Sequence, residues 1–300
     1  MSVKQDTAVG IPVAVALAVM VVWGGTPLFT KVAAAEIDPL LVGILRTVLA
    51  GCVALPLVIA WRQPLPADSR GKALLGFSGL AAFVVFPLLF TVGQHVTSAL
   101  HGALILATLP VFTSLFGTLL ERRRVSKTWM AGCAIALSGE AAVIVWRTAG
   151  AASGAGTRGD AIILVSAVVC AAGYAAGALL TGSGYPARST TLWGVSFSSI
   201  ALLPLLGWTL ASRGWPHAGS AAWVSVLVLA LLTSILGYIA WYWALAKGGI
   251  SRIAGIQFTQ PLFGLLLAAV VLGERPAPVT AVAGAAILAG AWLVQRAAAR

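Results

Sequence analysis

VVWGGTPLF, residues Val21–Phe29, lies inside the first long apolar run of the chain. Gly weakens a helix interior, and Pro removes a backbone donor that lipid cannot replace. A membrane-length helix that carries Gly24-Gly25-Thr26-Pro27 straight after Trp23 therefore either does not span or faces something other than lipid. Composition decides between these. The 300 residues are 60% hydrophobic and only 9% charged, where a soluble domain carries about a quarter charged residues. Runs of about 20 apolar residues, enough to cross a bilayer, recur along the whole chain. The reading is an all-α polytopic membrane protein, with the opening stretch turned toward its interior.

Ten spans are expected, at approximately 11–33, 39–61, 73–94, 99–120, 128–147, 160–181, 190–211, 223–245, 251–272 and 278–296. The connectors are short, the longest being the Gly/Ala/Ser-rich stretch from Thr148 to Asp160, so any chemistry belongs within the membrane region. The first span is longer than the apolar core of a signal peptide and reads as a retained helix. Cys52, Cys133 and Cys170 all fall within spans, with no CxxC and no disulfide framework, and read as small buried residues.

The net charge of +11 is distributed by side and not clustered. With the N-terminus inside, 13 of the 19 Lys and Arg fall in inner connectors and tails, five outside, and Arg46 within a span. That bias is the positive-inside pattern and puts both termini in the cytoplasm. The basic residues orient the chain in the lipid bilayer, and no nucleic-acid partner is implied.

Shifted by 151 residues, the chain falls into register with itself without a gap: Pro110 meets Pro261, Gly139 meets Gly290, Gly43 meets Gly194, and Trp23 meets Tyr174. A constant offset across five spans points to duplication, with residues 1–150 as one repeat and 151–300 as the other. Five is odd, so the second copy enters the membrane from the opposite side. Inverted repeats of this kind recur in secondary transporters, whose substrate site lies where the repeats meet and where helices are interrupted. A fused repeat supplies its own symmetry, so a monomer is expected.

The residues that suit transport follow from that frame. Trp23 and Thr26 stand at the Gly/Pro interruption with Pro27, and the repeat-mate GYAAG again pairs an aromatic, Tyr174, with glycines. In GYIAWYWALAKGG, Gly237–Gly249, four aromatics lie around much of the helix; Tyr238 and Tyr242 are the better candidates to wall a cavity, and the others fit an interfacial belt. Spans four and nine carry polar groups beside Pro110 and Pro261: His101, Thr108, Gln257 and Gln260. Polar groups in hydrocarbon are costly unless bonded, so these face the interior, either as substrate contacts or as interhelical bonds. Arg46 and Glu140 lie at similar depth from the outer side, about 10 Å at 1.5 Å per residue, and are expected to pair, with Lys31 competing for Glu140. Glu140 reads as the one acid well inside a span, which makes it the candidate for coupling. No cofactor or metal is expected.

Three segments resemble a known family. WGGTPLFTK resembles the opening segment of the drug/metabolite transporter superfamily in its EamA-like branch, PLLVGILRTVLAG (Pro39–Gly51) its second helix, and QPLFGLLLAAVVLGERP (Gln260–Pro276) its ninth helix with a Gly-Glu-Arg turn. In LLERRRVS the first repeat departs from this, placing Arg123 where Glu274 stands in the second. The resemblance implies ten helices in two inverted five-helix repeats and export of amino acids or related metabolites, in several relatives aromatic ones. Small multidrug relatives bind cations with an acid in the first helix. The first span, 11–33, has Thr26, Thr30 and Lys31 and no carboxylate, which favours a neutral or zwitterionic substrate over a cationic drug. A broader metabolite or cationic drug exporter is the alternative. An intramembrane enzyme would need motifs such as HExxH or GxSxG, which the sequence lacks, and a channel would need a continuous polar stripe.

Overall fold

Backbone polar groups must be satisfied within each segment in hydrocarbon, so apolar runs of this length become helices. A computed structural model describes residues 3–120, 126–149, 154–248, 255–274 and 277–298, and no strand occurs among them. The first repeat comprises α1 (Val3–Gly24), α2 (Thr26–Ala34), α3 (Pro39–Ala60), α4 (Ser69–Leu80), α5 (Phe86–Val96), α6 (Ala99–Leu106), α7 (Leu109–Leu120) and α8 (Lys127–Ala149). The second comprises α9 (Gly154–Gly182), α10 (Ala187–Arg213), α11 (Ser220–Leu227), α12 (Gly237–Gly248), α13 (Gln260–Leu272) and α14 (Pro278–Ala298). Among the described residues, six stretches are long and apolar enough to cross a membrane: Gly10–Ala34, Pro39–Ala60, Ser69–Val96, Gly156–Gly182, Ala187–Arg213 and Ser220–Ala244. Ala99–Thr113, Gln260–Leu272 and Ala281–Val294 are shorter apolar helices.

The interruptions fall where Pro denies a donor. Gly25 separates α1 from α2 ahead of Pro27. Ala107 and Thr108 separate α6 from α7 ahead of Pro110, and a 3-10 turn, Gly255–Thr259, precedes Pro261 in α13. The last two breaks coincide under the 151-residue shift. The first does not: its counterpart around Ala176–Ala178 is uninterrupted α9, where Ala178 stands in place of Pro27.

Two further irregularities also coincide under the shift. Ala81–Val85, between α4 and α5, and Val228–Leu236, between α11 and α12, are π-helical. A π turn widens the helix and frees carbonyls, and such turns concentrate at functional sites. Thr47 donates to the freed Phe83 carbonyl at 2.6 Å, and the Trp23 indole donates to the Thr233 carbonyl at 3.1 Å.

Small residues let the helices approach closely. A Cβ on Gly24 would come within 2.9 Å of the Gln260 carbonyl, and Gly79 and Gly194 abut backbone to backbone. Helices α8 and α14 meet along a glycine seam: a Cβ on Gly132 would lie 2.7 Å from the Gly290 carbonyl, one on Gly139 would lie 2.8 Å from the Ala283 carbonyl, and one on Gly290 would collide with the Ala136 backbone.

The bundle has two ends. At one, the carboxylate of Asp38 caps α3 through the Leu40 and Leu41 amides and pairs with Arg213, while Glu36 accepts from the Gly219 amide. At the other, the Tyr185 hydroxyl donates to the Pro64 carbonyl at 2.7 Å, and Ser189 and Arg188 donate to the Gln63 side chain. Burial raises the Tyr185 phenol to about 12.

Candidate functional site

Aromatic side chains from both repeats converge between these ends. Trp23 from α1 is 4% exposed and sits 6.1 Å, centroid to centroid, from the near-parallel ring of Tyr174 on α9. It lies 5.1 Å from Tyr238 and 5.6 Å from Trp241, both on α12. Phe83, in the first π turn, adds a ring 4.8 Å from Tyr238, and Tyr242 continues the cluster one helical turn along. Such offset and edge contacts contribute about 0.5–1.5 kcal/mol per pair beyond burial. Gly237 makes room for the Trp23 indole, and Gly177 for the Tyr242 hydroxyl.

Of the α12 aromatics, Tyr238, Trp241 and Tyr242 turn inward and are buried, while Trp243 is half exposed on the outer surface. Trp241 and Phe83 were not singled out in the sequence. For Trp241 the signal was its presence in the same aromatic run. For Phe83 there was none, since one Phe in an apolar span is ordinary.

Arg46, deep in α3, reaches the same cluster. It is 3% exposed and close enough to Tyr238, Cys170 and Tyr174 to act on them electrostatically. Nε donates to the Ser234 hydroxyl at 3.0 Å and Nη2 to the Thr233 hydroxyl at 3.1 Å, both in the second π turn. These hydroxyls give their own protons to the Leu229 carbonyl, so they offer Arg46 lone pairs. The guanidinium also lies 5.7 Å from the Phe86 ring centroid. Arg46 thus ties α3 of the first repeat to the π turn of the second. The Glu140 side chain, its expected partner, lies outside the described residues.

Span nine borders the cluster. Gln257 and Gln260 are both buried, and Gln257 Nε2 has no hydrogen-bond partner among the described residues. Gln257 lies in the 3-10 turn Gly255–Thr259, and Gln260, three residues on, opens α13. Thr26 is buried beside the α1–α2 break. Thr108 donates to the Ile105 carbonyl at 2.7 Å, satisfying itself locally at the α6–α7 break.

His101 and Lys31 belong to a different place, at the Asp38 end. Lys31 Nζ donates to the carbonyls of Thr97 at 2.6 Å and His95 at 3.0 Å. His101 Nδ1 lies 3.1 Å from Asp160 Oδ2, and Thr97 Oγ1 donates to Asp160 Oδ1 at 2.5 Å. Glu274 accepts from the Ala99 and Leu100 amides at 3.0 and 2.8 Å, capping α6. Asp160 corrects the sequence reading in two ways. The connector was expected to run from Thr148 to Asp160, yet helix α9 begins at Gly154. Asp160 is fully buried inside α9, so Glu140 is not the one acid within a span.

The EamA-like transporter family matches residues 10–145 and again 157–296, once for each repeat. The chain belongs to the EamA-like transporter family. An uncharacterised transporter of Bacillus subtilis, YdeK, is 34% identical over 264 residues, covering 85% of this chain and 87% of that one. A probable terminal-alkyne amino-acid exporter of Streptantibioticus cattleyicolor is 29% identical over 78% of this chain and 76% of its own. A probable amino-acid metabolite efflux pump of Salmonella typhimurium is 28% identical over 93% and 92%. One crystal structure aligns over 95% of this chain and 96% of its own with a TM-score of 0.62 at 19% identity, a likeness of fold. This EamA-like chain is therefore a multi-pass membrane transporter for small molecules, with the two-repeat architecture of its family.

Proposed function

We propose that this EamA-like protein exports amino acids, aromatic or otherwise bulky and apolar ones, across the bacterial cytoplasmic membrane by alternating access. In this reading ten helices cross the membrane in two inverted five-helix repeats, residues 1–150 and 151–300. Both termini are cytoplasmic, which makes the Asp38 end the outer one, and the transporter works as a monomer. The observation that carries it is the aromatic cluster of Trp23, Tyr174, Tyr238 and Tyr242. Both repeats contribute to it, at the depth where the helices are interrupted. Stacked and edge-on rings suit a ring-bearing or long apolar side chain, and the buried amides of Gln257 and Gln260 suit its polar head. The breaks at Pro27, Pro110 and Pro261 supply the bending, and the Lys31, His101 and Asp160 network holds the outer side closed. Two relatives named for amino-acid and amino-acid metabolite export support the substrate class.

The test is uptake of labelled tryptophan, phenylalanine and threonine into liposomes carrying the purified protein, with and without a pH gradient. The expected result is saturable uptake, competed by aromatic amino acids and lost in Trp23→Ala and Tyr238→Ala. Competition by a quaternary ammonium compound alone would replace this reading with cationic drug export.

A further inference from the structure

We infer that Arg46 is the anchor for a carboxylate, and hence that the transported molecule is an apolar monoanionic or zwitterionic acid held by that group. This rests on the transport reading and adds the chemistry of the substrate's head.

A guanidinium removed from water is costly unless a negative charge or full hydrogen bonding compensates it. Arg46 is 3% exposed, and its two bonded nitrogens meet only neutral hydroxyls. Nη1 has no hydrogen-bond partner among the described residues, and no carboxylate there pairs with the side chain. Among the described residues, the groups that act on it electrostatically are Tyr238, Cys170 and Tyr174, none an anion at neutral pH. Three features turn this from a cost into a site. The side chain is pinned in place by Thr233 and Ser234, both in the second π turn. It adjoins the aromatic cluster, so an anion on Nη1 would have rings beside it. The charge is particular to the first repeat, because the same position in the second, shifted by 151 residues, is Phe197, which is 41% exposed.

One unmatched positive charge selects one negative charge. A carboxylate meets it through charge-assisted hydrogen bonds, which are the strong ones. A phosphate dianion would leave surplus charge in a low-dielectric place, and an amine would add a second cation to it. The ammonium of an amino acid is then dispensable for binding, while its carboxylate is not.

The experiment is ligand-dependent thermal unfolding of the purified full-length protein in detergent. The probes are three of matched shape: 3-phenylpropionate, its amide and phenethylamine. The expected result is that the acid raises the midpoint while the amide and amine do not. In Arg46→Gln the acid's apparent affinity should fall about 10- to 100-fold, and Arg46→Lys should keep part of it. The wild-type comparison needs no variant, so it decides even if Arg46→Gln does not fold. Equal effects of acid and amine, no effect of any probe, or undiminished acid binding by a monodisperse Arg46→Gln would overturn the assignment. Arg46-dependent acid binding without uptake of any amino acid would leave the anchor standing and remove the amino-acid reading. Uptake of phenylalanine with the same KM in wild type and Arg46→Gln would do the reverse.

Discussion

The two ends of the bundle are built from duplicated helices, yet they are closed by different chemistry. At the Asp38 end, acids and bases do the work: Asp160 with His101 and Thr97, Glu274 on the α6 amides, Lys31 on three carbonyls, and Asp38 with Arg213. At the Tyr185 end, the described contacts are a phenol on a carbonyl, a serine on an amide, and an indole on carbonyls, with Arg188 the lone charge. The 151-residue shift explains why. The counterparts of Asp160, Lys31, Glu274 and Asp38 are Val9, Gly182, Arg123 and Ser189. Duplication gave both ends related helices, and substitution then gave them different contacts. Under the alternating access proposed above, this difference would favour closure at the Asp38 end.

That contrast can be broken from its strong side first. Asp160→Asn keeps the shape but removes the buried charge between Thr97 and His101, and should destabilise the protein by about 1.5–3 kcal/mol. The check is the unfolding midpoint. Glu274→Gln should cost less, about 1 kcal/mol, because a neutral amide oxygen can still cap one of the two amides. Hydrogen exchange at Ala99 and Leu100 would report it directly.

The Tyr185 end offers a sign test. Its phenol is raised by burial from 10 to about 12, so the folded state holds the proton longer than the unfolded chain. The stability this supplies is complete below about pH 10 and declines as pH rises toward 12. Tyr185→Phe should flatten that decline, and pH-dependent unfolding in detergent measures it; an unchanged slope would place the effect elsewhere. The smallest change should come from Arg213→Gln. The pair it forms with Asp38 is exposed, 47% and 28%, so the loss should be no more than about 0.5 kcal/mol and should vanish at high salt.

Much of this architecture was legible in the sequence because hydrophobicity and Pro act locally. The membrane class followed from the apolar runs, the duplication from a constant offset, and the breaks from Gly25, Pro27, Pro110 and Pro261. Trp23 and Tyr174 stood out because their repeat positions match, and Tyr238 and Tyr242 because they lie in one aromatic run. The π turns were not legible, since they arise from how helices pack and no residue type marks them. Without them, nothing indicated that Arg46 would meet Thr233 and Ser234, although two hydroxyls in the run VLALLTSIL were a signal available for reading. Asp160 was hidden by its approach, a Gly/Ala/Ser stretch whose composition resembles a linker and whose last residues fold into α9.

The glycine seam between α8 and α14 has a consequence on another timescale. Copies of a duplicated segment ordinarily drift apart, each position free to change without its twin. Gly139 and Gly290 are twins, and both lie on this seam: a methyl group on either runs into the backbone of the opposite helix. Neither copy can gain a side chain while the other helix stays in place. The two halves of this protein are bound to a common inheritance at that contact, and their ancestry should stay readable there after it has faded from the rest of the chain.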